Sequence, residues 1–141
     1  MKITFETKFF QKNKFNEKVI LRYFNSASKS FKIAAQNKEP EIIFKFSYDA
    51  LIKIGITLIA LHGYRIKSRR GHHIKILEKL SSILLNKDIS IIGDKMRKKR
   101  NLDLYEGGII IDTKETKQYL DFIEQVVLQA EKYIKNQKSL L

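Results

Sequence analysis

The stretch PEIIFKFSYDALIKIGITLIALHGYRI, residues 40–66, decides the fold. Ile42, Ile43, Phe44, Phe46, Leu51, Ile54, Ile56, Leu58, Ile59 and Leu61 are distributed around most of a helical circumference, so the segment predicts one long helix with few solvent-facing positions. Such a helix belongs in the middle of a bundle or at a subunit contact, because elsewhere water would meet apolar surface on nearly every side. The preceding NKE breaks the chain, and Pro40 suits a first helical turn, where a missing N–H costs nothing.

Working outward, residues 16–36 carry Val19, Ile20, Tyr23, Phe24, Ala27, Phe31 and Ala34 at three- and four-residue steps, which predicts an amphipathic helix. Residues 1–15 read as a loose N-terminal arm. Downstream, HGYRIKSRRG forms a basic, glycine-bearing turn, and residues 72–85 form a shorter helix with Ile74, Leu77, Leu80 and Leu84 on one face. Asp88 is expected to cap a fourth helix bearing Ile89, Ile92 and Met96, which Gly107 and Gly108 stop. Asp112 with Glu115 makes a capping box for the last helix, whose stripe runs through Tyr119, Phe122, Ile123, Val126, Val127, Ala130, Tyr133 and Ile134. About five helices joined by short turns predict an all-α fold, an up-and-down antiparallel helical bundle, as a single domain over residues 1–141.

Composition narrows the function classes. A chain of 141 residues with 43% hydrophobic and 30% charged side chains can bury its own core. Having no cysteine, it has no disulfide framework and no thiolate chemistry. The opening MKITFETKFF is charged at Lys2, Glu6 and Lys8 and lacks the apolar run of a signal peptide, so a cytoplasmic protein is expected. No stretch approaches the roughly 20 apolar residues that span a bilayer, so no membrane helix is expected. The net charge of +13 points to a polyanionic partner, yet lysine outnumbers arginine more than three to one, as a drift toward A/T-rich codons would produce. Arginine placement is more telling: five of the six lie between positions 65 and 100. A solvated cationic face is the competing reading.

The chemistry-bearing segment is MRKKRNLDLY, residues 96–105. On a helix, Arg97, Asn101 and Tyr105 share one stripe, while Ile92, Met96 and Arg100 share the next. Arg100 therefore continues an apolar face, where a guanidinium needs a partner. Either it ties helices together, through Asp103 or Glu106, or it serves a ligand. His72 and His73 open a helix, where an anion is welcome, and join Arg69, Arg70 and Arg97 as candidates for phosphate contact. The alternative for the pair is a simple polar helix entry. His62 lies in the apolar helix and reads as a hydrogen-bonded core or interface histidine. There is no GxxxxGK, HExxH, GxSxG or GxGxxG motif. Adjacent histidines point about 100° apart on a helix, so neither a metal nor another cofactor is expected.

The order of elements, the GYRIKSRRGHH turn after a long buried helix, and RKKRNLDLY before a capped terminal helix together resemble the HEPN domain superfamily over about residues 25–133. These are small helical domains of prokaryotic toxin–antitoxin systems and nucleotide-associated proteins. Many are metal-independent ribonucleases in which an Arg, a polar residue and a following His meet across a homodimer interface. On this chain the resemblance puts the catalytic roles on Arg100 and Asn101, with Tyr105 where the His would often stand. That exchange matters, because a tyrosine of ordinary pKa near 10 is a poor base at neutral pH, whereas His suits proton transfer. The resemblance thus implies an RNA- or nucleotide-directed protein. If active, it is a toxin-type endoribonuclease with impaired or altered catalysis, completed by His72 or His73. The alternative is a noncatalytic dimeric module that engages a nucleotidyltransferase or antitoxin, although Tyr105 lacks the His, any residue, Tyr arrangement of the former pairing.

Overall fold

Asn16 starts the first helix in the way its side chain favours, its Oδ1 accepting the Val19 N–H at 3.0 Å. The structure, a computed structural model, describes residues 2–105, 107, 108 and 111–139, with the side chains of all of these except Leu104, Tyr105, Lys138 and Ser139. In chain order the elements are β1 (Phe10–Lys12), α1 (Glu17–Gln36), α2 (Pro40–Leu61), β2 (Tyr64–Ile66), α3 (His72–Leu84), α4 (Lys87–Tyr105) and α5 (Thr113–Ser139). The fold is an all-α, up-and-down helical bundle with one two-stranded antiparallel ribbon in which Phe10 pairs with Ile66, Gln11 with Arg65 and Lys12 with Tyr64. No helix among the described residues is long and apolar enough to cross a membrane.

Helix α2 is the hub. It packs against α1, α3, α4, α5 and β2, and Leu51, Ile54, Leu58 and Ile59 are essentially removed from water. Each such side chain contributes about 1.5–3 kcal/mol relative to exposure. Helices α1 and α5 cover one side of α2, and the α3–α4 hairpin covers another. Two glycines set the spacing of that hairpin. A Cβ on Gly55 of α2 would collide with Ile76 Cγ2 of α3, and one on Gly93 of α4 would come within 2.8 Å of Leu77 Cδ2.

Three expectations are corrected. The central helix ends at Leu61 rather than running to residue 66, because Gly63 adopts φ +82°, donates its N–H to Ala60, and releases Tyr64–Ile66 into β2. The N-terminal arm is not loose. Phe10 is buried, Phe5 stacks on Tyr64 at 4.2 Å, and the Glu6 carboxylate accepts from the buried Lys79 ammonium at 2.7 Å. Asn86, not Asp88, caps α4, its Oδ1 accepting the Asp88 N–H at 3.1 Å. At α5 the Asp112 half of the capping box forms, Oδ1 accepting the Glu115 N–H at 2.6 Å. The Glu115 carboxylate instead meets Lys99 of α4 at 2.7 Å, tying the two helices together.

The close approach of α2 and α3 yields a stability test. Gly55→Val adds branched carbon where Ile76 already sits, and such overpacking costs about 1–3 kcal/mol. The expected result in thermal unfolding is a Tm several degrees lower. An unchanged Tm would mean that the helices are not in contact there.

Candidate functional site

The site is assembled from the turn after β2, the first turn of α3 and the last turns of α4. The arm holds the turn from outside: Lys67 Nζ donates to the Thr7 carbonyl at 2.7 Å and Arg69 Nη1 to the Lys8 carbonyl at 3.1 Å. The Phe9 ring lies 6.0 Å from the Arg69 guanidinium and 5.2 Å from the Lys75 ammonium, a cation–π seat for both. Gly71 then takes φ +81°, which lets the chain turn sharply into α3, and no side chain caps that helix start. An uncapped N-terminus offers backbone N–H groups to an anion.

The two histidines that follow have different surroundings. His72 Nδ1 lies 2.7 Å from the Arg69 carbonyl oxygen, while His73 Nδ1 lies 2.8 Å from the Tyr48 hydroxyl at the floor of the site. The two rings meet edge to face at 4.5 Å. Burial pushes the Tyr48 phenol up to about 12, against the opposing pull of Arg100 and Arg97, so the hydroxyl stays protonated and shares a hydrogen bond with His73 whose direction follows the imidazole tautomer. Burial, followed by the charges of His72, Arg100 and Arg97, pushes the His73 imidazole down to about 4. His73 is therefore neutral near pH 7.

From α4, the Arg100 guanidinium stands 5.9 Å from the centre of the Tyr48 ring, a second cation–π contact. Among the described residues no carboxylate lies within salt-bridge distance of it; Asp103 is exposed, and Glu106 lies outside the described residues. Arg97, by contrast, is matched: its Nε and Nη2 each lie 3.0 Å from Asp94 Oδ1. Lys98 binds the other Asp94 oxygen at 3.1 Å. These cations hold the Asp94 carboxyl below its ordinary value against the effect of burial.

The side chains of Arg69, Arg70, His72, His73, Arg97, Arg100 and Asn101 line a single open cleft of about 850 Å³, completed by Gly71 and Ile74. Among the described residues no carboxylate is part of its lining. The cleft thus gathers seven of the eight candidates named from the sequence; the side chain of the eighth, Tyr105, lies outside the described residues. Arg65 is not part of it, being turned toward a small pocket with Phe15 and Tyr23. Sequence reasoning missed Tyr48. Its signal was a lone tyrosine in an oily helix, since a buried phenol needs a hydrogen-bond partner. Among the described residues no three His, Asp or Glu side chains converge as a metal would require. Chemically, a cavity edged by four guanidiniums, of which Arg97 alone has a carboxylate partner among the described residues, favours multivalent oxyanions, phosphate above all.

The His73 environment has a pH consequence whose sign is definite. Its folded pKa lies below the ordinary 6.5, so between about 4 and 6.5 the unfolded chain binds the extra proton. Burial lowers His62 in the same direction. Stability is therefore expected to fall as pH drops from 6.5 toward 4. Histidine NMR should show His73 titrating with a midpoint near 4. An ordinary midpoint near 6.5 would contradict the buried contact with Tyr48. Comparison with known protein families, with curated proteins and with solved structures gave no match to this chain.

Proposed function

We propose that this chain is an RNA-directed protein of the HEPN type that grips single-stranded RNA by its phosphates in the arginine-lined cleft. The observation that carries the reading is the convergence of Arg69, Arg70, Arg97 and Arg100 on one cavity with no carboxylate in its lining among the described residues. Bringing four guanidiniums together is unfavourable for an empty protein and is relieved by a polyanion. The uncapped start of α3 adds backbone donors, and the net charge of +13 adds long-range attraction. Among the described residues no Phe, Tyr or Trp lines the cleft, so the grip is mainly on backbone and sugar and tolerates many sequences. Asn101 and His72, which line the cleft, have the donors and acceptors to hydrogen-bond a ribose hydroxyl, the group that separates RNA from DNA.

A neighbouring groove supports a homodimeric form of the same reading. Ile74, Leu77 and Ile91 line it, it shares Ile74 and Arg97 with the cleft, and Ile91 is 61% exposed. Glu78, Asp94 and Lys98 give this surface both charge signs, which suits a two-fold copy of itself. Two copies joined here would set two clefts side by side.

Fluorescence anisotropy with a labelled single-stranded RNA tests the binding. Affinity is expected to fall steeply with salt. Arg100→Ala should weaken it and flatten the log–log salt slope by about 0.7, the value for one lost phosphate contact on a single strand. The same substitution should leave Tm nearly unchanged, because Arg100 has no carboxylate partner among the described residues. Parent protein that fails to bind RNA at low salt ends the proposal. For the dimer, light scattering should give twice 16.6 kDa for the parent and 16.6 kDa for Ile91→Glu. A monomeric parent at micromolar concentration rules that part out.

A further inference from the structure

We propose that the aromatic pocket at Phe15, Tyr23 and Tyr64 takes up one base of the strand whose phosphates the cleft holds; this rests on the RNA-binding reading above. The pocket is a cavity of about 210 Å³, lined also by Ile56 and Ala60 of α2 and by Arg65. It shares no lining residue with the arginine cleft. Three rings around so small a volume leave room for one flat ring system and little more.

The rings are set before a ligand arrives. Asn13, whose N–H donates to the Gly63 carbonyl at 2.9 Å, and Asn16, which caps α1, pin the short link that carries Phe15. Phe15 then meets Tyr23 edge to face with centroids 5.6 Å apart, and Tyr64 is held by Phe5, stacked on it at 4.2 Å. All three rings are only half-buried, so apolar faces remain open to water around an unfilled space. A flat ligand with apolar faces removes that cost, and a base has this shape whatever its identity. Arg65, exposed beside the rings, adds a planar cation suited to stacking on the same base and to the phosphate next to it.

A line of cations ties the pocket to the cleft. Side chains two apart in an extended chain share a face. Strand β2 is extended through Ile66, and Lys67 carries the pairing one step further by donating its N–H to the Phe9 carbonyl. Arg65 and Lys67 therefore point the same way, and Arg69 follows two residues on, in the lining of the cleft. The Lys67 ammonium is held by the Thr7 carbonyl, an uncharged partner, so its charge remains for a phosphate. The chain from Arg65 to Arg69 spans at most about 14 Å, so a strand leaving the cleft reaches the pocket within a few nucleotides. The cleft supplies charge without a Phe, Tyr or Trp among the described residues, and the pocket supplies the rings.

The test is anisotropy with the intact chain and a labelled single-stranded RNA, repeated with strands that carry one abasic residue at each position in turn. One position should bind clearly more weakly than the others. Tyr23→Leu keeps apolar bulk but removes a flat face; it should lower affinity for the intact strand about 5- to 150-fold, the range for one lost base–aromatic stack, with Tm retained. Tyr23→Phe should bind like the parent. On the strand that is abasic at the sensitive position, parent and Tyr23→Leu should bind alike, a comparison that stays informative even where the substitution costs stability. Equal binding of every abasic strand, an unchanged affinity of Tyr23→Leu, or a loss that persists in full on the abasic strand overturns the inference and leaves RNA binding in the cleft intact. A parent that binds no RNA removes the underlying reading as well.

Discussion

The architecture follows from the need to hide α2. A helix with apolar residues on nearly every side cannot lie on a surface, and each other helix contributes a stripe that covers part of it. The demand is strict enough to exclude side chains altogether at Gly55, where α3 crosses with Ile76 against the backbone. Three hydroxyl side chains interrupt the oily circumference, Ser47, Tyr48 and Thr57, and Thr57 donates to the Lys53 carbonyl of its own helix at 2.7 Å. Tyr48 buries a hydroxyl, and an unpaired hydroxyl there would cost about 1–3 kcal/mol, so the bundle supplies His73 at 2.8 Å. The helix that organises the core thereby also lays the floor of the cleft.

Above that floor the usual preference for charge pairing is partly set aside. Arg97 has its aspartate, and Lys99 reaches across to Glu115. Among the described residues Arg100 has the face of Tyr48 and no carboxylate, and Arg69 and Arg70 are exposed on the turn. Placing cations near one another raises the energy of the folded chain, and a sequence free to relieve it would put a carboxylate in the lining. Its absence there among the described residues separates this cavity from the mixed-sign groove beside it, where Glu78, Asp94 and Lys98 alternate in charge. The two surfaces meet at Ile74 and Arg97, so an apolar, self-complementary patch and a cationic recess form one continuous face.

Much of this was legible in the residues, for identifiable reasons. The helices announce themselves through three- and four-residue spacing, and the Asp112 cap through a side chain that accepts from the backbone three positions on. The clustering of arginines between positions 65 and 100 marked the cleft, because the turn and the end of α4 are brought together by the α3–α4 hairpin. What stayed hidden depends on contacts distant in sequence. Three-residue strands carry too little pattern to read, and β1 exists only because β2 lies opposite it. The partial burial of Ile3 and Phe5 between exposed Lys2, Thr4 and Glu6 is the period-two trace that betrays a seated arm. The early end of α2 turns on the left-handed Gly63, and the role of Tyr48 on a histidine 25 residues away.

That seated arm gives the molecule a handle remote from its chemistry. Lys79 is nearly sealed from water with Glu6 as its counter-ion, and Phe5 and Phe10 flank the ammonium at 5.8 and 5.6 Å. Peeling back the first ten residues would strand that cation and, in the same motion, withdraw the Thr7 and Lys8 carbonyls from Lys67 and Arg69. The rim of the recess would lose its outer hold on Arg69, one of its own lining side chains, so the seating of the N-terminal thread is coupled to the position of a cleft guanidinium.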